Sequence, residues 1–168
     1  MRAMRCTVRL ACLLLLSSVA AAAEPAQVLK EIDAAIWQPF LRGVNTFDHT
    51  LYAGVRARDS IFIDGKRFFG YDAYVEDAVR VMAPLKQAGS RIEMSVRFED
   101  RTTDGLYASE RGVLRTIMTD ARGEQRTGYA RFHVISRKQA EGWRIVTDYR
   151  WRTTPQADAE AFEKAQAM

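Results

Sequence analysis

The hydropathy period of the chain changes near residue 90. From Arg91 to Phe98 the residues alternate one by one, Ile92, Met94, Val96 and Phe98 against Arg91, Glu93, Ser95 and Arg97. Successive side chains of a strand point to opposite faces, so this pattern predicts a strand with one face buried. Three more runs follow, Leu106 to Thr119, Gln125 to Ser136 and Trp143 to Arg152. Their separators are Asp104-Gly105, Asp120-Ala121-Arg122-Gly123 and Lys138 to Glu141, which are turn sequences. Long strands joined by tight turns pair antiparallel, and their twist curls the sheet.

The first half has a helical period. Leu29, Ile32, Ile36 and Phe40 recur at helical spacing, which predicts a helix from Ala26 to about Trp37. Pro39 predicts a kink or a restart there, with a second helix to about Val44. Thr46 is placed to cap a short helix, Phe47 to Ala53. A short strand at Ser60 to Ile63 and a third helix from Tyr71 to about Met82, closed by Pro84 and Gly89, complete this half. Helices followed by a strand meander define an α+β fold: a cone-shaped, curved, mainly antiparallel sheet with the N-terminal helices on its concave face. Pro155 ends the last strand, and 155–168 reads as a polar C-terminal tail, a short helix or a disordered end.

The extreme N-terminus does not belong to that domain. Arg2, Arg5 and Arg9 precede an apolar run from Leu10 to Ala23, and no acid occurs before Glu24. The run ends in Ala21-Ala22-Ala23 and is shorter than the ~20 apolar residues needed to span a bilayer. Residues 1–23 therefore read as a cleavable signal peptide, which predicts an exported protein, periplasmic or extracellular, with one domain over 24–154. The whole chain carries +4, and without those three arginines residues 24–168 carry +1. That balance offers no basic patch for nucleic acid. Cys6 and Cys12 both lie in the leader, leaving no thiol for a disulfide, a nucleophile or a metal. No membrane association is expected once the leader is removed.

The order helix, short helix, strand, helix, long antiparallel strands resembles the nuclear-transport-factor-2-like superfamily, and most of all its exported bacterial SnoaL-like members. The segments that carry the resemblance are Ile36-Trp37-Gln38-Pro39-Phe40, Asp48 with Leu51-Tyr52, Tyr129-Ala130-Arg131-Phe132-His133-Val134, and Gly142-Trp143-Arg144-Ile145-Val146-Thr147-Asp148. It covers roughly residues 27 to 152. The superfamily includes ketosteroid isomerase, scytalone dehydratase, polyketide cyclases and members with no known reaction. The paired acids and tyrosine of the isomerase match no positions here, so the resemblance assigns no catalytic residue.

Two groups of residues carry candidate chemistry. With Asp120 facing Gly123 across one turn, Glu110 lies opposite His133. With Arg137 facing Gly142 across the next, Arg131 lies opposite Asp148. Glu110, Arg131, His133 and Asp148 then share one face. They form either an acid–base and anion-holding set in a pocket, or an ion-pair network on the outer face or at a dimer interface. The opposite face holds Phe132, Val134, Trp143, Ile145, Tyr149 and Trp151, an apolar set that reads as core. On that side Trp37, Tyr52, Arg115 and Tyr149 either line a cavity for a small, largely apolar ligand or pack as ordinary core. Arg56 with Arg58, and Lys66 with Arg67, read as solvated loop charges.

The two histidines, His49 and His133, have no ligand spacing around them, so no metal site is expected. The absence of a phosphate-cradling glycine loop and a dinucleotide motif gives no reason to expect a cofactor. The function expected is binding of a small apolar molecule in an internal cavity, for which isomerisation or dehydration is a suitable chemistry. The competing expectation is a non-catalytic module of the cell envelope, forming a homodimer or docking a partner through a sheet face.

Overall fold

A computed structural model describes residues 24–168, so the signal peptide expected at 1–23 lies outside the described residues. The chain begins as one helical rod: α1 (Pro25–Ile32), a π turn (Asp33–Trp37) and α2 (Gln38–Asn45). No break occurs at Pro39. The π turn inserts one extra residue ahead of the proline, with the Gln38 amide donating to the Asp33 carbonyl, so the missing donor falls in a first turn. Gly43 lets the rod meet the next helix, since a Cβ there would stand 2.5 Å from the Tyr52 nitrogen. That helix, α3 (His49–Gly54), is capped by Asp48 rather than Thr46. The Asp48 carboxylate accepts from the Thr50 and Leu51 amides at 2.9 and 3.1 Å, while the Thr46 hydroxyl donates back to the Arg42 carbonyl.

The first strand, β1 (Arg56–Asp64), is longer than expected and pairs with β2 (Arg67–Gly70), which the sequence pattern did not suggest. Then come α4 (Tyr71–Gln87), which runs on through Pro84, and β3 (Arg91–Thr103), β4 (Tyr107–Thr119), β5 (Gln125–Gln139) and β6 (Gly142–Trp151). The chain ends in α5 (Pro155–Lys164) and β7 (Gln166–Ala167). The seven strands lie in one curved, unclosed sheet in the order β2-β1-β6-β5-β4-β3-β7. Among the described residues only the β1–β6 pairing is parallel.

Two irregularities decide which side chains face inward. In β6 the register shifts between Ile145 and Thr147, leaving Val146 unpaired, and in β3 it shifts between Phe98 and Asp100, leaving Glu99 unpaired. An extra residue reverses the alternation beyond it. Trp143 and Ile145 thus face the helices before the β6 bulge, and Asp148 and Arg150 after it. Tyr149 and Trp151, expected in the core with them, are turned to the outer face. Gly112 faces Phe98 at the β3 bulge, where a Cβ would lie 2.1 Å from the Arg97 carbonyl oxygen and 2.9 Å from the Phe132 ring.

The helical rod fills the concave face. Trp37 packs its ring against Phe132 at 5.0 Å, Phe98 at 5.2 Å and Phe40 at 5.9 Å, within a core that also holds Val28, Ile32 and Ile145. The tail that reads as polar is ordered on the opposite face. Phe162 of α5 is buried beside Tyr129, Arg97 and Arg115, and the buried Asp158 accepts from Arg131 at 2.9 Å. One large apolar side chain anchors this helix, too weak a pattern to read as amphipathic. Among the described residues no helix is long and apolar enough to cross a membrane.

Gly112→Ala is expected to lower the free energy of unfolding by about 1–3 kcal/mol through overpacking against backbone. Urea denaturation reads this as a lower midpoint at unchanged slope. An unmoved midpoint would mean that the bulge relaxes around the added methyl group.

Candidate functional site

The two bulges place a row of side chains on the concave face. Across the sheet, Phe62 of β1 pairs with Asp148, Asp148 with Val134, Val134 with Glu110, and Glu110 with Arg101. Two carboxylates thus sit in the floor of the hollow, both fully buried.

Glu110 is held in place on every side. The Trp37 indole N–H donates to both of its oxygens at 3.1 Å, and Arg101 Nε donates to it at 2.8 Å. Arg101 also reaches Asp33 on the π turn at 2.5 Å. Burial raises the Glu110 pKa and outweighs the lowering by Arg101 and Trp37. This group ties helix to sheet and leaves Glu110 no free face for a ligand.

Asp148 organises a second cluster of opposite sign. Arg56 of β1 donates to it at 2.5 Å and Arg150 at 2.8 Å. Arg56 also donates to the Tyr74 hydroxyl oxygen at 3.0 Å, and its guanidinium lies 3.9 Å from the centre of the Tyr74 ring. Burial pushes the Asp148 carboxyl up, but Arg150 and Arg56 outweigh it and hold the group below the usual carboxylate range. Burial drives the Tyr74 phenol well above its ordinary value, so it remains a neutral O–H. Arg56 Nε and Nη1 are buried without a hydrogen-bond partner.

A recess of about 90 Å³ adjoins this cluster, lined by Tyr52, Phe62, Tyr74, Asp77, Val81 and Met82 among others. Tyr52 stacks on Tyr74 at 5.1 Å, and the Phe62 ring meets Tyr74 edge-on at 5.0 Å. Asp77 at the rim is paired with Arg80.

The structure re-sorts the residues nominated from sequence. Trp37, Tyr52, Glu110 and Asp148 lie on the helix side of the sheet. Arg115, Arg131, His133 and Tyr149 lie on the other. Glu110 pairs with Val134 and not His133, because the β4–β5 loop holds five residues, Asp120 to Glu124, with Thr119 opposite Gln125. Gly123, at φ 85°, and the Asp120 side chain, accepting from the Arg122 and Glu124 amides, build that longer loop. Arg131 pairs with Trp151 and not Asp148, because the next hairpin closes at Gln139–Gly142 and the Val146 bulge follows. Its ion partners are Asp158 and Glu99, both at 2.9 Å. His133 Nε2 meets the Ser109 hydroxyl at 2.9 Å, and Arg115 lies over the Phe162 ring. An outer groove of about 510 Å³ contains His133, Tyr149 and Trp151 with Glu99, Asp100 and Arg111.

No protein-family model matches the chain, and no curated protein does. Solved structures do. A ketosteroid isomerase-like protein from Erwinia carotovora atroseptica aligns with a TM-score of 0.59 at 20% identity, over 76% of this chain and 97% of its own. A candidate dehydratase of the nuclear-transport-factor-2-like family from Streptomyces avermitilis aligns with a TM-score of 0.65 at 11% identity, over 77% and 99%. A protein of that family with a cystatin-like fold, from Novosphingobium aromaticivorans, gives 0.62 at 16% identity, over 82% and 89%. The fold is nuclear-transport-factor-2-like.

Within this nuclear-transport-factor-2-like hollow, sequence reasoning missed Arg56, Arg150, Tyr74, Phe62 and Arg101. Arg56 had been expected in solvent, yet its side chain is fully buried. The available signal was the spacing of Asp148 and Arg150, two charges sharing a face that continues Trp143 and Ile145 once one residue is bulged. The internal cavity expected from sequence is represented among the described residues by the recess beside Tyr52 and Tyr74. Trp37, Phe40, Phe98 and Phe132 fill the space beneath the helices and leave the recess at one end.

The two buried carboxylates have opposite pH signatures. Asp148, with its pKa lowered, contributes stability present above the ordinary carboxylate range and lost as pH falls through its depressed value. Glu110, with its pKa raised, opposes folding as pH rises through the interval between its ordinary and raised values. Asp148→Asn is expected to lose about 3–5 kcal/mol at neutral pH, because two buried guanidiniums lose their counter-charge. It should also flatten the acid limb of a stability-versus-pH curve. Glu110→Gln should cost less and remove the decline above the carboxylate range. Equal losses for the two variants would overturn this assignment.

Proposed function

We propose that the protein is exported and binds a small molecule at the concave-face recess between α3, α4 and β1. The carrying observation is Arg56, a buried guanidinium with two donor atoms unpaired, directly behind the aromatic rings that line that recess. Buried donors are nearly always paired in a folded protein, so an unpaired guanidinium edge beside a recess calls for an explanation, and a bound ligand supplies one. Solved structures of similar fold include an isomerase-like protein and a candidate dehydratase, which supports a small-molecule role. The residues present favour binding over proton transfer. Glu110 and Asp148 are fully engaged, and Asp77, at the rim, is tied to Arg80.

Thermal unfolding of residues 24–168 with a panel of small aromatic and aliphatic compounds tests this reading. A ligand at a hundred times its dissociation constant stabilises by about 2.7 kcal/mol, a shift of several degrees. Ala78→Leu, which fills the recess from α4, should abolish the shift. If no compound raises the melting temperature, or if the leucine variant responds like the parent, the recess is not the site.

The outer face supports a second reading, a homodimer interface. Tyr149 is 41% exposed there and stacks on Trp151 at 5.1 Å, next to the Arg111–Asp100 pair. A patch carrying both charge signs can complement its own copy across a two-fold axis. Sedimentation should then show a dimer that Tyr149→Ser with Trp151→Ser converts to a monomer. A monomeric parent would remove this reading.

A further inference from the structure

We propose that the outer edge of β3 is a surface on which a second copy of this chain pairs, and that Asn45 and β7 hold it closed. The inference does not depend on the recess or on the outer aromatic face.

The ladder sets which backbone groups face that edge. β3 is bonded to β4 on one side, and in an antiparallel pair the backbone groups of alternate residues point to opposite sides. Met94 marks the residues that point away from β4. Its N–H donates to Asn45 Oδ1 at 2.7 Å, and its C=O accepts from Asn45 Nδ2 at 3.4 Å. Ile92, Val96 and Phe98 share its alternation and face the same edge. β7 lies along the far end of this run, with Gln166 opposite Phe98 and Ala167 opposite Arg97.

The two covers do the same work by different means. A carboxamide offers one acceptor and one donor, the pair that a neighbouring strand would offer. Asn45, at the end of α2, supplies them at a single residue of the edge. β7 is a true strand of two residues. Open strand edges are templates for another chain, and folded proteins close them with short strands and polar side chains. That β7 already sits there shows the edge accepts a strand.

Charge complementarity selects a second copy as the partner. The run reads Ile92-Glu93-Met94-Ser95-Val96-Arg97-Phe98. A two-fold axis through Ser95 sets Ile92 opposite Phe98, Met94 opposite Val96 and Glu93 opposite Arg97. Edge-facing residues then meet edge-facing residues, as an antiparallel ladder requires, and Glu93 and Arg97 pair twice, once on each side of the axis. Moving the axis to Met94 would set Arg91 against Arg97, and moving it to Val96 would leave Arg97 opposite Ser95. Arg97 holds the Phe162 and Glu163 oxygens of α5 through Nη1, which leaves Nε and Nη2 for Glu93.

The test removes both covers, with Asn45→Ala in a chain lacking 166–168, and follows mass by sedimentation at rising concentration. The uncovered variant is expected to form a species of twice the parent's mass, and Glu93→Arg within it to abolish that species. Residues 24–168 contain no cysteine, so an introduced one reports the register. Residues directly opposite across a ladder bring their Cβ atoms to ~4.5–5.5 Å, near disulfide distance. On oxidation Ser95→Cys should cross-link the uncovered variant and Glu93→Cys should not, since its opposite residue is Arg97. Gln166→Pro is a milder opening that spares α5 and removes the β7 amide opposite Phe98. Ala165 before it is already extended, as a residue preceding proline needs to be. This variant should give the same cross-link in lower yield, and it decides the matter if the doubly uncovered chain does not fold. A folded, uncovered chain that keeps the parent's mass at every concentration would overturn the proposal. So would association that ignores Glu93→Arg, or cross-linking no faster at residue 95 than at residue 93. Pairing through the outer aromatic face would instead appear in the parent and respond to Tyr149→Ser.

Discussion

One carboxylate joins parts of this molecule that lie far apart in sequence. Asp148 of β6 binds Arg56 across the parallel β1–β6 pair and Arg150 on its own strand, and Arg56 in turn holds Tyr74 of α4. The β1–β2 hairpin, the central sheet and the longest helix meet there. A parallel pair lacks the tight hairpin that fixes register between antiparallel neighbours. A charged bond buried between β1 and β6 supplies that registration, since any slip would leave a guanidinium unpaired in low dielectric.

The same face carries a second cluster with the opposite charge balance. Asp33 and Glu110 outnumber Arg101, while Arg56 and Arg150 outnumber Asp148. Val134 separates the two clusters along one row of the sheet, and the Trp37, Phe98 and Phe132 rings fill the space above it. The acidic cluster is closed by the indole and fastens the helical rod. The basic one ends in unpaired donors beside a recess. One hollow thus holds two clusters, a closed one under α1 and α2 and one with unpaired donors near a recess under α3 and α4.

The opposite face is divided in a similar way. α5 covers part of it through Phe162 and Asp158, and Arg131 links that helix to Glu99 at the β3 bulge. Tyr149, Trp151 and His133 stay uncovered beside it. The bulge that turns Asp148 and Arg150 inward is the one that turns this aromatic pair outward, so both candidate surfaces depend on a single unpaired residue, Val146.

The pattern of apolar residues was sufficient for the α+β class, the helix-then-sheet order and the long strands, because period 3.6 and period 2 are properties of local sequence. Trp37 and Tyr52 were legible as inward-facing residues for the same reason. Which strand residue faces inward is a non-local matter. It depends on how many residues a loop holds and where a bulge falls, and a shift of one residue exchanges the two faces. Arg56 illustrates the limit. Among Arg58 and Asp59 it reads as solvent-exposed, and only the arrival of Asp148 and Tyr74 from distant parts of the chain makes its burial tolerable. Local sequence was enough for the main helices, the long strands and most of their amphipathic character, while β2 and the packing of α5 and the register of the sheet, and with it which charges are buried together, came from contacts between distant segments.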